Sequence, residues 1–239
     1  MKPTYPVLIF SCALLALVSA PVAVSAAPPQ KVTVQYEASR NGTVMVEVAE
    51  RFEHDGKTYS VVSEAKGRGA YALIRSGAVK RSSKGTVTPA GLRPDEFHDK
   101  RGDRPEKTAR FDWAKSTLQQ GEEGKTETKP MAAPERLTDR LSFLWSFAFR
   151  PPAGKEVFFI ASDGGGLNDF RFALAGVEML KTPAGDIEAL KLVKVRDAGD
   201  ERGTEIWLAT KQNYLPVRIL VIEKDGTRID QVVTAISAQ

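Results

Sequence analysis

Cysteine and histidine are scarce in this sequence. Its 239 residues include one cysteine, Cys12, and two histidines, His54 and His98. One cysteine cannot form a disulfide within the chain, so a hydrophobic core must hold the fold together. Two histidines leave few candidates for a general base near neutral pH. We therefore expect a non-enzymatic protein with no catalytic residues, no metal site and no cofactor.

Long runs of one charge are also missing, and the formal net charge is only +4. The residues are 42% hydrophobic, 27% charged and 8% aromatic, which is typical of a globular chain and excludes a disordered one. The basic residues Lys80, Arg81 and Lys84 have no interleaved aromatic residues that would stack on bases. No nucleic acid partner is therefore expected.

Residues 1–26 have the pattern of a secretory signal peptide. Lys2 precedes an apolar run over residues 7–20, and Val24-Ser25-Ala26 meets the requirement for small residues before the cleavage site. Cleavage after Ala26 predicts an exported protein with no stable membrane span. If the peptide stays uncleaved, residues 7–27 are long enough to act as a membrane anchor.

Most of the remaining chain alternates between apolar and polar residues, which predicts β-strands. Turn signals such as Asn41-Gly42, Asp55-Gly56 and Asp225-Gly226 separate neighbouring segments and predict hairpins. The predicted strands cover residues 31–36, 44–52, 58–63, 71–75, 79–87, 92–98, 108–113, 116–120, 156–161, 170–174, 178–182, 187–195, 204–209, 216–223 and 228–236. Residues 129–134 are predicted to form a loop.

One helix is predicted near residues 139–149. Thr138 or Asp139 can cap its first turn, and Pro151-Pro152 ends it. Apolar residues cover nearly its whole circumference, namely Leu141, Phe143, Leu144, Trp145, Phe147, Ala148 and Phe149. Such a helix is buried. It is either a core helix that plugs one end of a curved sheet or a lid that covers a ligand.

Strands on both sides of a single helix predict a mainly β fold. Because no further helices are predicted that could form crossovers between parallel strands, neighbouring strands should pair antiparallel. We expect residues 27–239 to form one domain, an antiparallel curved sheet, barrel or half-barrel with one short buried aromatic helix. Its concave face is filled either by side chains or by a ligand.

Three local patterns resemble reactive sites, and each is incomplete. His98 lies near Asp95, Glu96 and Asp99, but the spacing fits no known ligand pattern, and charges of both signs alternate over residues 93–112 as on a solvated surface. Gly124-Lys125-Thr126 resembles the end of a phosphate-binding loop but lacks the first glycine of that motif. Ser162-Asp163-Gly164 resembles a nucleophile elbow but also lacks its first glycine.

Several short phrases occur together in an order that resembles the bacterial family catalogued as domain of unknown function 3108. They are Ser83-Lys84-Gly85, Gly91-Leu92-Arg93-Pro94, Phe111-Asp112-Trp113, Asp139-Arg140-Leu141-Ser142, Thr182-Pro183-Ala184-Gly185, Trp207-Leu208-Ala209 and Leu215-Pro216-Val217-Arg218. The resemblance covers nearly the whole mature chain. It implies a periplasmic protein of a Gram-negative bacterium with a mainly antiparallel β fold, and it implies no activity or site residues.

Three functions follow from these observations. The leading one is binding of a lipid or another apolar or amphiphilic envelope molecule in the β concavity. The second is an envelope-assembly factor that contacts a protein partner through a sheet edge or the helix, and the third is a hydrolase that uses carboxylates around His98. The candidate ligand contacts for the first function are Leu141, Phe143, Trp145, Phe147, Trp113 and Trp207.

Overall fold

The computed structural model describes residues 28–69, 71–72 and 77–239. The predicted signal peptide, its alternative as a membrane anchor and Cys12 lie outside the described residues. Within the described ranges, no helix combines the length and the hydropathy that are needed to cross a bilayer.

Fifteen strands make up most of the regular structure of the described residues, with a few short helical segments between them. The strands are β1 (Lys31–Arg40), β2 (Thr43–His54), β3 (Thr58–Gly67), β4 (Val79–Thr88), β5 (Gly91–Arg101), β6 (Lys107–Asp112), β7 (Thr117–Glu122), β8 (Lys125–Pro130), β9 (Leu137–Asp139), β10 (Glu156–Ser162), β11 (Leu167–Thr182), β12 (Gly185–Lys194), β13 (Gly203–Ala209), β14 (Leu215–Ile222) and β15 (Arg228–Ala238). Helix α1 is Ser142–Ser146, a 3-10 turn covers Pro134–Arg136, and Tyr71 and Ala72 are helical.

All fifteen strands belong to one sheet. Its order is β8-β7-β6-β5-β4-β3-β2-β1-β15-β14-β13-β12-β11-β10-β9. Every neighbouring pair is antiparallel except β9 and β10, which are parallel. The sheet therefore consists of two meanders that join where β1 pairs with β15. The mainly β antiparallel prediction is confirmed.

The sheet curves around α1 but does not close into a continuous ladder. Helix α1 packs against β5, β9 and β14, and its Trp145 stacks on Phe52 of β2. Because β5 and β14 lie in different halves of the strand order, both can reach α1 only if the sheet curves. The two edge strands, β8 and β9, do not pair with each other.

The hairpins predicted at Asn41-Gly42, Asp55-Gly56 and Asp225-Gly226 are present. Four other local predictions need correction. The helix is confined to Ser142–Ser146, shorter than the predicted 139–149. The predicted strand at 71–75 is wrong at Tyr71 and Ala72, where the backbone amides donate to Arg68 and Gly69 and close a helical turn; residues 73–75 lie outside the described residues. The predicted strands at 170–174 and 178–182 are one strand, β11, interrupted by a bulge between Leu174 and Gly176.

The fourth correction concerns β8 and β9, which the sequence did not predict. Every residue of β8 is exposed, so it shows no apolar and polar alternation. All three residues of β9 are buried, and three residues are too few to show a period. Residues 129 and 130, predicted to lie in a loop, belong to β8.

Candidate functional site

The predicted ligand contacts on the helix lie in the hydrophobic core. Trp145 is fully buried, its ring stacks on Phe52 with 4.8 Å between centroids, and its Nε1 donates to Glu50 Oε2 at 3.1 Å. Leu141, Phe143 and Phe147 are also buried. The arrangement is that of a core helix, and Trp145 has no exposed surface for a ligand.

Trp207 lies on the face of the sheet opposite α1. Its strand neighbours Ile206 and Leu208 pair with Leu192 and Leu190, on the face that reaches the helix. Trp207 instead pairs with Lys191 and Arg218, whose charged groups lie 4.8 and 4.6 Å from the centre of its ring. Its Nε1 donates to Glu178 Oε1 at 2.5 Å. Long charged side chains therefore cover Trp207 on the outside of the curved sheet.

Trp113 occupies a third place, at the end of β6. It is half-buried, and its Nε1 donates to the carbonyl oxygen of Pro94 at 2.8 Å. Its ring stacks on Phe111 with 5.7 Å between centroids. The six candidate residues are thus divided among the core, the outer face and the end of β6, and they do not form one pocket.

Polar side chains fasten the start of α1 to strands β3 and β4. Asp139 Oδ1 accepts the backbone amides of Leu141 and Ser142, both at 2.8 Å. Its Oδ2 accepts the hydroxyls of Ser83 at 2.5 Å and Ser142 at 2.7 Å, and Tyr59 Oη lies 2.7 Å from Ser142 Oγ. The N-cap residue is Leu141 and not Thr138 or Asp139 as predicted, but Asp139 still holds the helix start through these amides. It also joins the Ser83 and Asp139 phrases, which are 56 residues apart.

Burial sets the protonation of this polar cluster. Desolvation raises the pKa of Asp139, although hydrogen bonds from Ser142 and Ser83 oppose the rise. Desolvation together with the nearby Asp139 charge raises the pKa of Tyr59. The serine hydroxyls have no imidazole beside them and are buried. The arrangement therefore suits a structural anchor better than a nucleophile and base.

Glu50 is a second buried carboxyl group beside α1. It accepts the Trp145 indole, and burial raises its pKa, while hydrogen bonds from Ser63 and Trp145 and the charge of Arg81 oppose the rise. Sequence reasoning missed Glu50 and Ser83 as interior residues because polar positions in an alternating strand are ordinarily assigned to solvent, and it considered Asp139 only as a cap of the helix. No local signal in the sequence marks them as buried.

The carboxylates around His98 do not converge in a cleft. On an accessible face of β5, Glu96 Oε1 lies 3.7 Å from His98 Nε2, and Glu106 Oε2 lies 3.3 Å from His98 Nδ1. Asp99 points to the opposite face, because neighbouring residues of a strand alternate, and there it pairs with Arg81 and Arg101. In the described part of the chain, no group of three or more histidine, cysteine or acidic side chains could hold a metal ion.

An apolar surface leads from the core to the open end of the sheet. The ring centroids of Phe143 in α1 and Phe159 are 4.9 Å apart, and those of Phe159 and Phe172 are 6.0 Å apart. Along β11 the same face continues through Leu174 to Val177 and Met179, which pair with Leu192, Leu190 and Glu188. Val177 is 57% exposed and Met179 is 60% exposed.

Strand lengths explain this exposure. Strand β10 begins at Glu156, opposite Ala173, and β13 ends at Ala209, opposite Ala189. The tip of the β11–β12 hairpin therefore extends beyond both neighbouring strands. Val177 and Met179 remain uncovered on the same face as α1, and we take this surface, the hairpin face, as the candidate site.

Comparisons with known proteins show the family and the fold. The model of the family described as protein of unknown function (DUF3108) matches residues 31–233. No curated protein gives a significant match. The β-barrel-like protein of domain of unknown function DUF1849 from Brucella abortus is 6% identical with a TM-score of 0.51, covering 90% of this chain and 100% of that chain. At this identity the similarity shows the fold alone.

Two further solved structures are more distant. A candidate lipoprotein from Parabacteroides distasonis is 12% identical with a TM-score of 0.35, covering 88% of this chain and 97% of that chain. A candidate exported protein with a YmcC-like fold from Bacteroides fragilis is 11% identical with a TM-score of 0.33, with the same two coverages.

Proposed function

This chain belongs to the DUF3108 family, which brings no activity with it, and from its geometry we propose that it binds an apolar or amphiphilic envelope molecule on the hairpin face. The single observation that carries the proposal is the exposure of Val177 and Met179 on the face that continues from the aromatic core. The predicted signal peptide supports action in the periplasm. The role is that of a carrier or sensor without catalysis.

The location of the proposed site differs from the first expectation. Trp145 and its neighbours fill the centre of the curved sheet, so a ligand has access only where those side chains end. Phe159 and Phe170 are partly buried at that border, and Val177 and Met179 extend the apolar surface outward. Burial of a valine or methionine side chain is worth about 1.5–3 kcal/mol each, which is enough to hold an alkyl chain against this surface.

The test uses protein purified from the periplasm and a double variant, Val177→Thr with Met179→Gln, which keeps the side-chain size and removes apolar surface. The probe is N-phenyl-1-naphthylamine, whose fluorescence reports apolar binding sites, and native mass spectrometry with solvent extraction identifies any copurified lipid. We expect the double variant to bind the probe about tenfold more weakly, as the loss of about 1.4 kcal/mol implies, and to retain less lipid.

The control is Ile229→Thr, which alters an exposed apolar residue on β15 and should leave binding unchanged. Equal binding by the wild type and the double variant would contradict the proposal. A charged replacement of Trp145 is a poor test, because it would disrupt the stack with Phe52 and the bond to Glu50.

The unpaired edge of β11 supports a second candidate, an envelope-assembly factor. The last backbone bond between this strand and the β10 side runs from Leu174 to Lys155, and among the described residues no strand pairs with 175–182 on that side. An extended segment of a partner protein could add a strand there. Absence of probe and lipid binding, together with crosslinking of a protein at this edge, would favour this candidate.

A further inference from the structure

A groove surrounds Trp113 at the end of strands β5 to β8. Its volume is about 750 Å³, which falls in the range of small-molecule sites. The residues that line it are Arg93, Asp95, Arg110, Phe111, Asp112, Trp113, Ala114, Thr117, Gln119 and Thr128. No residue of β11 or β12 lines it, so this groove is separate from the hairpin face.

Trp113 provides a fixed aromatic surface in the groove. The bond from its Nε1 to the Pro94 carbonyl and the parallel stack with Phe111, at 8° between ring planes, hold the indole in one orientation. The guanidinium carbon of Arg93 lies 5.4 Å from the centre of the indole ring. Trp113 is half-buried, and the part of the indole that Phe111 and Arg93 leave exposed can contact the C–H face of a pyranose ring while the polar groups around it meet the hydroxyl groups.

The charges in the groove balance. Its lining contains two arginines, Arg93 and Arg110, and two aspartates, Asp95 and Asp112. Arg110 is paired with Glu96 and Asp112 with Lys115. Gln119, Thr117 and Thr128 add groups that both donate and accept hydrogen bonds. Partial burial raises the pKa of Asp95, while the Arg93 charge opposes the rise. Because Asp95 is exposed, its carboxylate oxygens can accept hydrogen bonds from sugar hydroxyls.

This set of groups discriminates among ligand classes. An alkyl chain would remove four charged groups from water without replacing their hydrogen bonds, which is costly. An anion would meet Asp95 and Asp112 as well as the arginines. A neutral polyhydroxylated molecule satisfies donors and acceptors together, and we infer that this groove binds a neutral saccharide of more than one pyranose ring.

The experiment measures binding of maltotriose and N,N′,N″-triacetylchitotriose to the full protein by isothermal titration calorimetry, with trigalacturonate as the anionic comparison. The variants are Arg93→Ala and Asp95→Asn, both at exposed positions that should fold normally. The matched control is Arg51→Ala, an exposed arginine on β2 outside the groove. We expect at least one neutral trisaccharide to bind, about tenfold more weakly in each groove variant and unchanged in the control.

Three results would overturn the inference. They are the failure of both neutral trisaccharides to bind at millimolar concentration, tighter binding of trigalacturonate than of either neutral sugar, and equal weakening by Arg93→Ala and Arg51→Ala. The double variant at Val177 and Met179 should keep its saccharide binding. Failure of the proposed lipid function is therefore distinguishable from failure of this one.

Discussion

At the scale of single residues, buried carboxyl groups distinguish this interior from a purely apolar core. Asp139 and Glu50 each hold an element in place by accepting hydrogen bonds, the first from the start of α1 and from Ser83, the second from Trp145. Removal of a partner from such a network leaves a buried polar group unsatisfied, which costs about 1–3 kcal/mol. These bonds orient α1 in a way that apolar contacts alone do not.

The raised pKa of Asp139 predicts a pH dependence of stability. Because the folded carboxyl binds its proton more tightly than the unfolded one, its contribution to the free energy of unfolding falls as pH rises above the ordinary pKa of 3.8. In Asp139→Asn this contribution is absent. We therefore expect the stability of the variant, relative to the wild type, to increase with pH by at most about 1.4 kcal/mol for each pH unit, as measured by urea denaturation.

Asp55→Asn is the matched control, because its stability relative to the wild type should change with pH in the opposite direction. Backbone hydrogen bonds from Thr58 and Lys57 lower the pKa of Asp55, so its contribution is present above the unfolded pKa and is lost as pH falls. The stability of that variant relative to the wild type should decrease with rising pH. Parallel curves for the wild type and Asp139→Asn across the acidic range would contradict the prediction for Asp139.

At the scale of elements, the β4–β5 hairpin shows how two sequence phrases form one piece of structure. The register shifts between Lys84 and Gly85, and the chain of β5 passes unusually close to Gly85. A Cβ atom at Gly85 would lie 2.2 Å from the carbonyl oxygen of Arg93 and 2.8 Å from Pro94 Cα. Only glycine permits this approach, and the bulge turns Arg93 and Asp95 toward the groove at Trp113.

Gly85→Ala should therefore disturb this hairpin. The new methyl group meets backbone atoms, which cannot rotate away, so we expect a loss of about 1–3 kcal/mol in the free energy of unfolding, as measured by urea denaturation. The matched control is Gly166→Ala, where the added atom has nothing within 4 Å, and its stability should be nearly unchanged. Equal stability of the two variants would show that the hairpin can relax without cost.

At the scale of the whole molecule, the two halves of the sheet meet in two ways: the ladder of β1 with β15 joins them on one side, and side chains join them on the open side. Ser162 at the end of β10 donates to Gln120 of β7 at 2.7 Å and accepts the amide of Gly164 at 3.1 Å. Gly164 in turn packs closely against Lys107. A Cβ atom added at Gly164 would lie only 2.9 Å from Lys107 Cβ. These contacts link strands of the two halves at the open side of the curved sheet, where the edge strands β8 and β9 do not pair with each other.

Loss of the Gln120 contact should weaken the junction between the two halves. In Gln120→Ala the buried Ser162 hydroxyl loses its acceptor, and we expect a loss of about 1–3 kcal/mol in the free energy of unfolding. Gln119→Ala is the control, since the neighbouring side chain is exposed and should contribute little. Hydrogen exchange at β7 and β10 would locate the change, and unaltered stability and exchange in Gln120→Ala would contradict this role.

The sequence by itself determined the class of fold and the position of most strands. Period-two alternation and turns such as Asp225-Gly226 depend on local backbone geometry, which neighbouring residues specify. The all-round apolar segment containing Trp145 likewise predicted a buried helix, because no face of it suits water. The exposed strand β8 and the short strand β9 carry no such period and could not be predicted.

Tertiary structure alone decided which residues share a site. Trp113, Trp145 and Trp207 are equivalent as sequence features, but the curvature of the sheet places them in a groove, in the core and on the outer face. Val177 and Met179 are exposed only because β10 and β13 end before the β11–β12 hairpin does. Strand lengths relative to distant neighbours, and contacts such as Ser83 with Asp139, depend on non-local packing, which no local pattern of residues encodes.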